Sequence, residues 1–96
     1  MIYKGEKEIE HKLVVEVKKL NGMCLKFTSP GVVGVPDRLC LLHQGKVAFV
    51  EVKSPGETLR KIQIKRKKQL ESLGFKVYVL DSIEKVEEVI HEIQTI

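Results

Sequence analysis

The chain has no long apolar run, no metal-spaced cysteine pair and no glycine-rich phosphate loop. No stretch approaches the ~20 apolar residues of a membrane-spanning helix, and no signal peptide is visible, so we expect a cytoplasmic protein without membrane contact. Cys24 and Cys40 each lie in an apolar segment, which predicts reduced thiols in the core. The three histidines are scattered, so zinc is not indicated. A cysteine nucleophile motif is also missing, which argues against other phosphohydrolase chemistries.

What is present fits one small folded domain over residues 1–96. Apolar residues make up 43% of the 96 residues, which is typical of a folded chain, although a domain of this size buries a limited core. The formal net charge is +4. This charge permits a polyanionic partner such as DNA without requiring one.

Residues 34–53 carry the clearest local pattern. Two apolar runs, Leu39–Leu42 and Val47–Val52, flank the polar link His43-Gln44-Gly45, which is typical of a β-hairpin. A three-residue loop places Gly45 in the left-handed position that such loops favour, and it pairs Leu42 with Lys46.

With this register, Asp37 lies opposite Glu51, and Lys53 shares their face because strand side chains alternate. A loop of two or four residues would instead put Asp37 on the other face. Like charges in directly opposed positions destabilise a sheet. A divalent cation between the two carboxylates would remove the repulsion and use their oxygens as ligands. The alternative interpretation is a solvated hairpin without a site.

The arrangement Pro36-Asp37, thirteen residues, Glu51-Val52-Lys53 resembles the PD-(D/E)xK nuclease signature. The wider context, with Gly-Val-Pro-Asp-Arg-Leu at 34–39 and Phe-Val-Glu-Val-Lys-Ser-Pro-Gly at 49–56, looks like the virus-type replication-repair nuclease (VRR-NUC) family. A combination of motifs is more specific than a lone Glu-x-Lys, and its structural context must confirm it.

The resemblance implies a catalytic site with Mg²⁺ or Mn²⁺. Asp37, Glu51 and the main-chain carbonyl of Val52 would be metal ligands. Lys53 would orient the attacking water, and Gln63 matches a glutamine that follows the motif in this family. A glutamate of the first helix would complete the set. Glu10 is our choice, because Leu13 and Val17 follow it as apolar residues follow that glutamate in related resolvases, and Glu6 fits nearly as well.

The rest of the chain predicts an α/β fold with the order α-β-β-β-α-β-α. This order resembles a restriction-endonuclease-like core, with one mixed sheet flanked by helices. Beside the hairpin strands, periodicity and turn residues predict a helix over about 6–20, a strand over 23–27, a helix over about 59–73 capped by Thr58, a strand over 75–80, and a helix to about 94 capped by Asp81 or Ser82.

The second predicted helix is strongly basic. Six cations fall within nine positions, and five of them are candidate DNA contacts: Arg60, Lys61, Lys65, Arg66 and Lys68. Such a surface neutralises phosphates, although a basic run is also typical of a solvated helix face. The last helix is acidic on its outer side, which should keep that side away from DNA.

From the resemblance we expect a metal-dependent DNA endonuclease of phage or mobile-element replication and repair, acting in a bacterial host cell. Small members of the family resemble Holliday-junction resolvases, so we also expect a homodimer that cuts branched DNA. The alternatives are a non-catalytic nucleic-acid-binding module that uses the basic helix, and a structural protein of the same fold with an idle site.

Overall fold

The computed structural model describes residues 5–96, so residues 1–4 of the predicted domain lie outside the described part. It contains three α-helices and four strands in the predicted order, with short 3₁₀ turns at His43–Gly45 and Ile83–Lys85. The elements are α1 (Glu6–Lys19), β1 (Met23–Lys26), β2 (Arg38–Leu42), β3 (Lys46–Val52), α2 (Lys61–Ser72), β4 (Lys76–Leu80) and α3 (Val86–Gln94). Within residues 5–96, no helix is long and apolar enough to cross a bilayer.

The four strands form one mixed sheet in the order β1-β2-β3-β4. The pairs β1–β2 and β2–β3 are antiparallel, and β3–β4 is parallel. A parallel pair needs a long crossover connection, and here the crossover contains α2. The predicted α/β architecture with a mixed sheet is therefore confirmed.

The β2–β3 hairpin has the predicted register. Leu42 pairs with Lys46, and the ladder continues to Arg38 opposite Val50. Gly45 has φ 71°, in the left-handed region expected from a glycine at this position, and Gln44 also has a positive φ of 68°. Two successive residues in this region produce the tight loop that sets the register.

The main core lies on one face of the sheet, beneath α1 and α3. The helices bury Ile9, Leu13 and Val17 together with Val86, Val89, Ile90 and Ile93. Since β2–β3 partners share parity, the even-numbered strand residues face these helices, and the buried ones are Cys40, Leu42, Ala48, Val50, Val52 and Leu80. Leu20, which the periodicity placed on the same stripe, lies beyond the end of α1 and is exposed.

On the opposite face, α2 packs over part of the sheet, and Gln63 is its only buried residue. This helix begins at Lys61 rather than 59, and its N-cap is Arg60, not Thr58. The reason is that the Gln63 side chain turns back and its Oε1 accepts the Arg60 N–H at 2.9 Å. That bond satisfies an amide at the helix start, so a threonine cap is not needed.

The other predicted boundaries shift by small amounts. The first strand ends at Lys26 rather than 27, and the last begins at Lys76 rather than 75. Ser82 precedes the 3₁₀ turn but makes no side-chain capping bond, and α3 itself begins at Val86. Such shifts of one or two residues are usual at element ends.

Candidate active site

Asp37 lies where the loop after β1 enters β2. Its main-chain carbonyl accepts the Phe27 N–H at 2.8 Å, which holds the backbone against β1. Its carboxylate Oδ2 accepts the Val52 N–H at 2.9 Å. The Asp37 carboxylate therefore replaces a main-chain acceptor at the end of β3. This hydrogen bond holds the carboxylate beside the Glu51-Val52-Lys53 segment.

Pro36 limits how far the β2–β3 ladder can extend. The Lys53 N–H bonds to the Leu80 carbonyl on β4 at 2.9 Å. Because successive residues of a strand direct their polar groups to alternate sides, both the N–H and the C=O of Val52 point toward the β2 side. If the register ran on past the last pair, Pro36 would meet Val52, and Pro36 has no N–H to donate.

Two consequences follow for the end of the hairpin. In the described residues the β2–β3 ladder stops at Arg38 opposite Val50, one hydrogen-bonded pair before Val52. The Val52 N–H binds the Asp37 carboxylate, and Pro36 cannot donate a ladder bond to the Val52 carbonyl because proline has no N–H. A main-chain oxygen is thus left on the side of the sheet where Asp37 stands.

Glu51 is the central acidic group, with 4% of its surface exposed. Its Oε2 accepts a hydrogen bond from Gln63 Nε2 at 2.8 Å and lies 3.8 Å from Lys53 Nζ. Burial and the charge of Asp37 raise the pKa of Glu51 to about 7, while the ammonium of Lys53 opposes that rise. Near neutral pH this carboxyl therefore holds a proton for part of the time unless a cation compensates its charge.

Gln63 connects the start of α2 to this carboxylate. Its Oε1 accepts from the Arg60 N–H and its Nε2 donates to Glu51. Both amide atoms are used, so the side chain has one orientation that satisfies its partners. The structure therefore brings the predicted Gln63 into direct contact with the predicted Glu51.

The two first-helix glutamates lie in different environments. Glu10 Oε2 accepts from Arg38 Nε at 2.7 Å, so its charge is compensated on the α1 side of the sheet. Glu6 is exposed at the start of α1, and its charge acts on both Asp37 and Glu51. Slight burial and the charges of Asp37 and Glu57 raise the pKa of Glu6. The charge of Glu6 thus acts on the site, whereas Glu10 is paired with Arg38, and the choice of Glu10 over Glu6 stays a prediction.

The sequence contained a signal for this outcome. Arg38 follows Asp37 directly, so strand alternation places its side chain on the opposite face, next to α1. A cation at that position is a natural partner for Glu10, as observed.

The basic residues of α2 divide into two groups. Arg60, Lys61, Lys65 and Lys68 are exposed. Arg66 is half-buried, and its Nε donates to the Val33 carbonyl at 2.9 Å, so it fastens the 28–36 loop to the helix. Gly34 lies in the same contact: its φ is +83°, and a Cβ there would come within 2.8 Å of Ile62. The glycine thus lets the loop approach α2.

Among residues 5–96, no three acidic, histidine or cysteine side chains lie close enough to hold a metal ion by themselves. The local donors nevertheless fit a hard divalent cation, because they are two carboxylates, Asp37 and Glu51, and the Val52 carbonyl, all of them oxygen. Burial and the charge of Asp37 raise the pKa of Glu51, and a bound cation would act against that rise.

The sequence profile of the VRR-NUC domain matches residues 26–84, well over half of the chain. The chain belongs to the VRR-NUC family. The matched range contains Asp37, Glu51, Lys53 and Gln63, but it begins after α1 and so does not bear on the choice between Glu6 and Glu10.

Two individual proteins are similar to this chain. A protein named "Putative nuclease p44", from Acyrthosiphon pisum secondary endosymbiont phage 1, is 51% identical over 77 residues, which cover 80% of this chain and 83% of the relative. A solved structure described as a VRR_NUC domain superposes with a TM-score of 0.83 at 25% identity, and the match covers 90% of this chain and 94% of that one. Family and fold are therefore as the sequence predicted.

Proposed function

We propose that this VRR-NUC protein is a divalent-metal-dependent DNA endonuclease that hydrolyses phosphodiester bonds. The observation that carries the proposal is the convergence of Asp37, Glu51, Lys53 and Gln63 at the end of β3, where Asp37 binds the Val52 N–H and Gln63 binds Glu51. A stable sheet gains nothing from two acidic groups at this point. The membership of the family and the name of the phage relative support the same chemistry.

Asp37, Glu51 and the Val52 carbonyl would hold Mg²⁺ or Mn²⁺, and Glu6 would add a carboxylate through water. The bound ion would activate a water molecule and stabilise charge that develops on the phosphate. Asp37 uses Oδ2 for the Val52 N–H, so its other carboxylate oxygen is the one offered to a cation. Gln63 holds Glu51 in place through Nε2, which keeps the second acidic group aimed at the same point.

Lys53 supplies the cationic group of the site. Its Nζ lies 3.8 Å from Glu51 Oε2, and its side chain is 12% exposed. An ammonium held this close to the acidic pair lowers the electrostatic cost of bringing an anionic phosphate into the site. The same group can donate a hydrogen bond to the attacking water and balance charge in the transition state.

DNA would approach across the exposed cations at the start and along the outer side of α2. Arg60 is directly linked to the site, since its N–H binds Gln63 and Gln63 binds Glu51. Lys61, Lys65 and Lys68 would neutralise flanking phosphates. Arg66 contributes mainly by holding the 28–36 loop against the helix.

We further propose that the protein acts as a homodimer on branched DNA such as a four-way junction, in the cytoplasm of a phage-infected bacterium. A two-fold dimer presents two identical sites to strands of opposite polarity. The apolar residues of α3 are buried in the core and offer no such interface. Exposed apolar side chains lie instead on α2, at its end and on β1: Ile64 at 41%, Leu73 at 67% and Met23 at 55%.

The decisive experiment measures cleavage of matched linear, flap and four-way DNA with Mg²⁺, with Mn²⁺, or with excess chelator. We expect cleavage only with a divalent ion and its loss in Asp37→Asn and Glu51→Gln, with folding checked by circular dichroism. Glu16→Gln is the matched control, since Glu16 pairs with Lys19 in the last turn of α1. Equal cleavage in chelator would refute the proposal, and salt-sensitive binding without cleavage would identify a binding module.

Light scattering at the assay concentration tests the dimer. A monomer that cuts linear duplex as readily as four-way junctions would refute both the dimer and the junction preference while leaving the metal-dependent chemistry intact.

A further inference from the structure

Cys24 and Cys40 face each other across the β1–β2 pair. They are direct partners in the register, and their sulfur atoms lie 3.8 Å apart. The Phe27 N–H binds the Asp37 carbonyl, so residues 27 and 37 form a hydrogen-bonded pair. Alternation then makes 24 and 40 a non-hydrogen-bonded pair, whose Cα atoms are about 4.5 Å apart and whose side chains are closer. That spacing falls within the range of about 4.4–6.8 Å that disulfides span.

The two thiols differ in accessibility. Cys24 is half-buried on the edge strand β1, while Cys40 is fully buried in the core. The hydrogen bond from the Cys40 thiol lowers the pKa of Cys24, and the nearby guanidinium of Arg38 acts in the same direction, against burial and the charge of Glu10. The same hydrogen bond and burial raise the pKa of Cys40. Cys24 is thus the more exposed of the two residues, and the Cys40 thiol is in contact with its sulfur.

We propose that Cys24 and Cys40 form an oxidation site that a small peroxide converts to an intramolecular disulfide. The Cys24 thiolate attacks one peroxide oxygen, which gives a sulfenic acid at Cys24 and releases hydroxide that is protonated to water. The Cys40 sulfur then attacks the Cys24 sulfur, its proton leaves with the departing hydroxyl as a second water, and the S–S bond forms. Two thiols are oxidised and one peroxide is reduced to two waters.

The position of the pair gives the modification a structural consequence. Cys40 lies in β2, which begins one residue after Asp37, and Arg38 donates to both the Cys24 carbonyl and Glu10. A covalent bond at this point would tie the edge strand to the strand that carries the candidate active-site aspartate. The proposal itself is independent of the nuclease assignment, because it rests only on the sulfur geometry.

The test treats the folded chain with hydrogen peroxide and reads the intact mass and the number of free thiols. We expect a loss of about 2 Da, the disappearance of both free thiols without denaturant, and full reversal by dithiothreitol. The disulfide-bonded chain should remain a single copy on non-reducing gels. Two thiols that persist under peroxide, or a product linked between two copies, would overturn the proposal.

Two variants assign the roles of the sulfur atoms. In Cys40→Ala, Cys24 should stop at a sulfenic acid that a dimedone probe traps, and the product lighter by about 2 Da should be absent. In Cys24→Ser, the buried Cys40 should stay reduced. Equal peroxide reactivity of Cys40 in Cys24→Ser would refute the assigned order of attack, and the wild-type mass measurement decides the disulfide itself even if a variant fails to fold.

Discussion

The pH dependence of the metal-free protein offers a direct test of the site. The pKa of Glu51 is raised from 4.5 to about 7, so in the range between these values the folded chain holds a proton that the unfolded chain has released. The free energy of unfolding therefore falls as pH rises through this window, and the stabilisation is fully present only below about pH 4.5. Glu6, whose pKa is also raised, contributes with the same sign.

The size of the effect follows from the shift. The rise in the pKa of Glu51 from 4.5 to about 7, at about 1.4 kcal/mol for each pH unit, corresponds to about 3.5 kcal/mol. Small domains have total stabilities of about 5–15 kcal/mol, so the loss is a large fraction of the whole. Glu51→Gln should remove this pH-dependent part, because its side-chain oxygen still accepts from Gln63 and no longer carries a charge against Asp37.

The assay is urea unfolding in excess chelator at several pH values from 5 to 8. The wild type should lose stability across this range relative to Glu51→Gln, while Glu88→Gln, an exposed change on α3, should follow the wild type. The three histidines are common to all three proteins and cancel in the comparison. Adding Mn²⁺ at pH 8 should restore stability to the wild type and to Glu88→Gln, but not to Glu51→Gln. Parallel curves for wild type and Glu51→Gln would refute the charge conflict at the site.

Three further outcomes are expected. Pro36→Ala introduces an N–H opposite the Val52 carbonyl, so Mn²⁺ affinity measured by calorimetry should fall several-fold; unchanged affinity would contradict the argument for a vacant carbonyl. Charge reversal at Lys65 and Lys68 should weaken DNA binding and reduce the slope of log affinity against log salt concentration by about two. The same change at Lys18 and Lys19 serves as the control and should leave that slope unchanged. An unaltered slope in the Lys65 and Lys68 variant would place the DNA elsewhere. Leu13→Ala, at a fully buried position of α1, should cost about 2–5 kcal/mol of unfolding free energy by denaturation, and a loss below about 1 kcal/mol would exclude the core assignment.

Local interactions allowed much of this fold to be predicted from the sequence. The alternation of apolar residues, the loop glycine at 45 and the helical spacing of Ile9, Leu13 and Val17 depend on neighbours a few residues apart, so the order of elements and the hairpin register follow from them. The same register predicted that Asp37 and Glu51 lie on one face of the sheet. The family assignment rested on this short segment and on the residues around it.

Tertiary structure decided what depends on contacts between distant segments. The sequence permits both Glu6 and Glu10 as partners of the site, and only the approach of Arg38 to α1 shows that Glu10 is already paired. The cap of α2 was misplaced because Gln63 serves the helix start and Glu51 at once. The raised pKa of Glu51 likewise arises from burial between α2 and the sheet. Periodicity encodes which face a residue occupies, but ion pairing and desolvation are set by whichever distant groups the folded chain brings to that face.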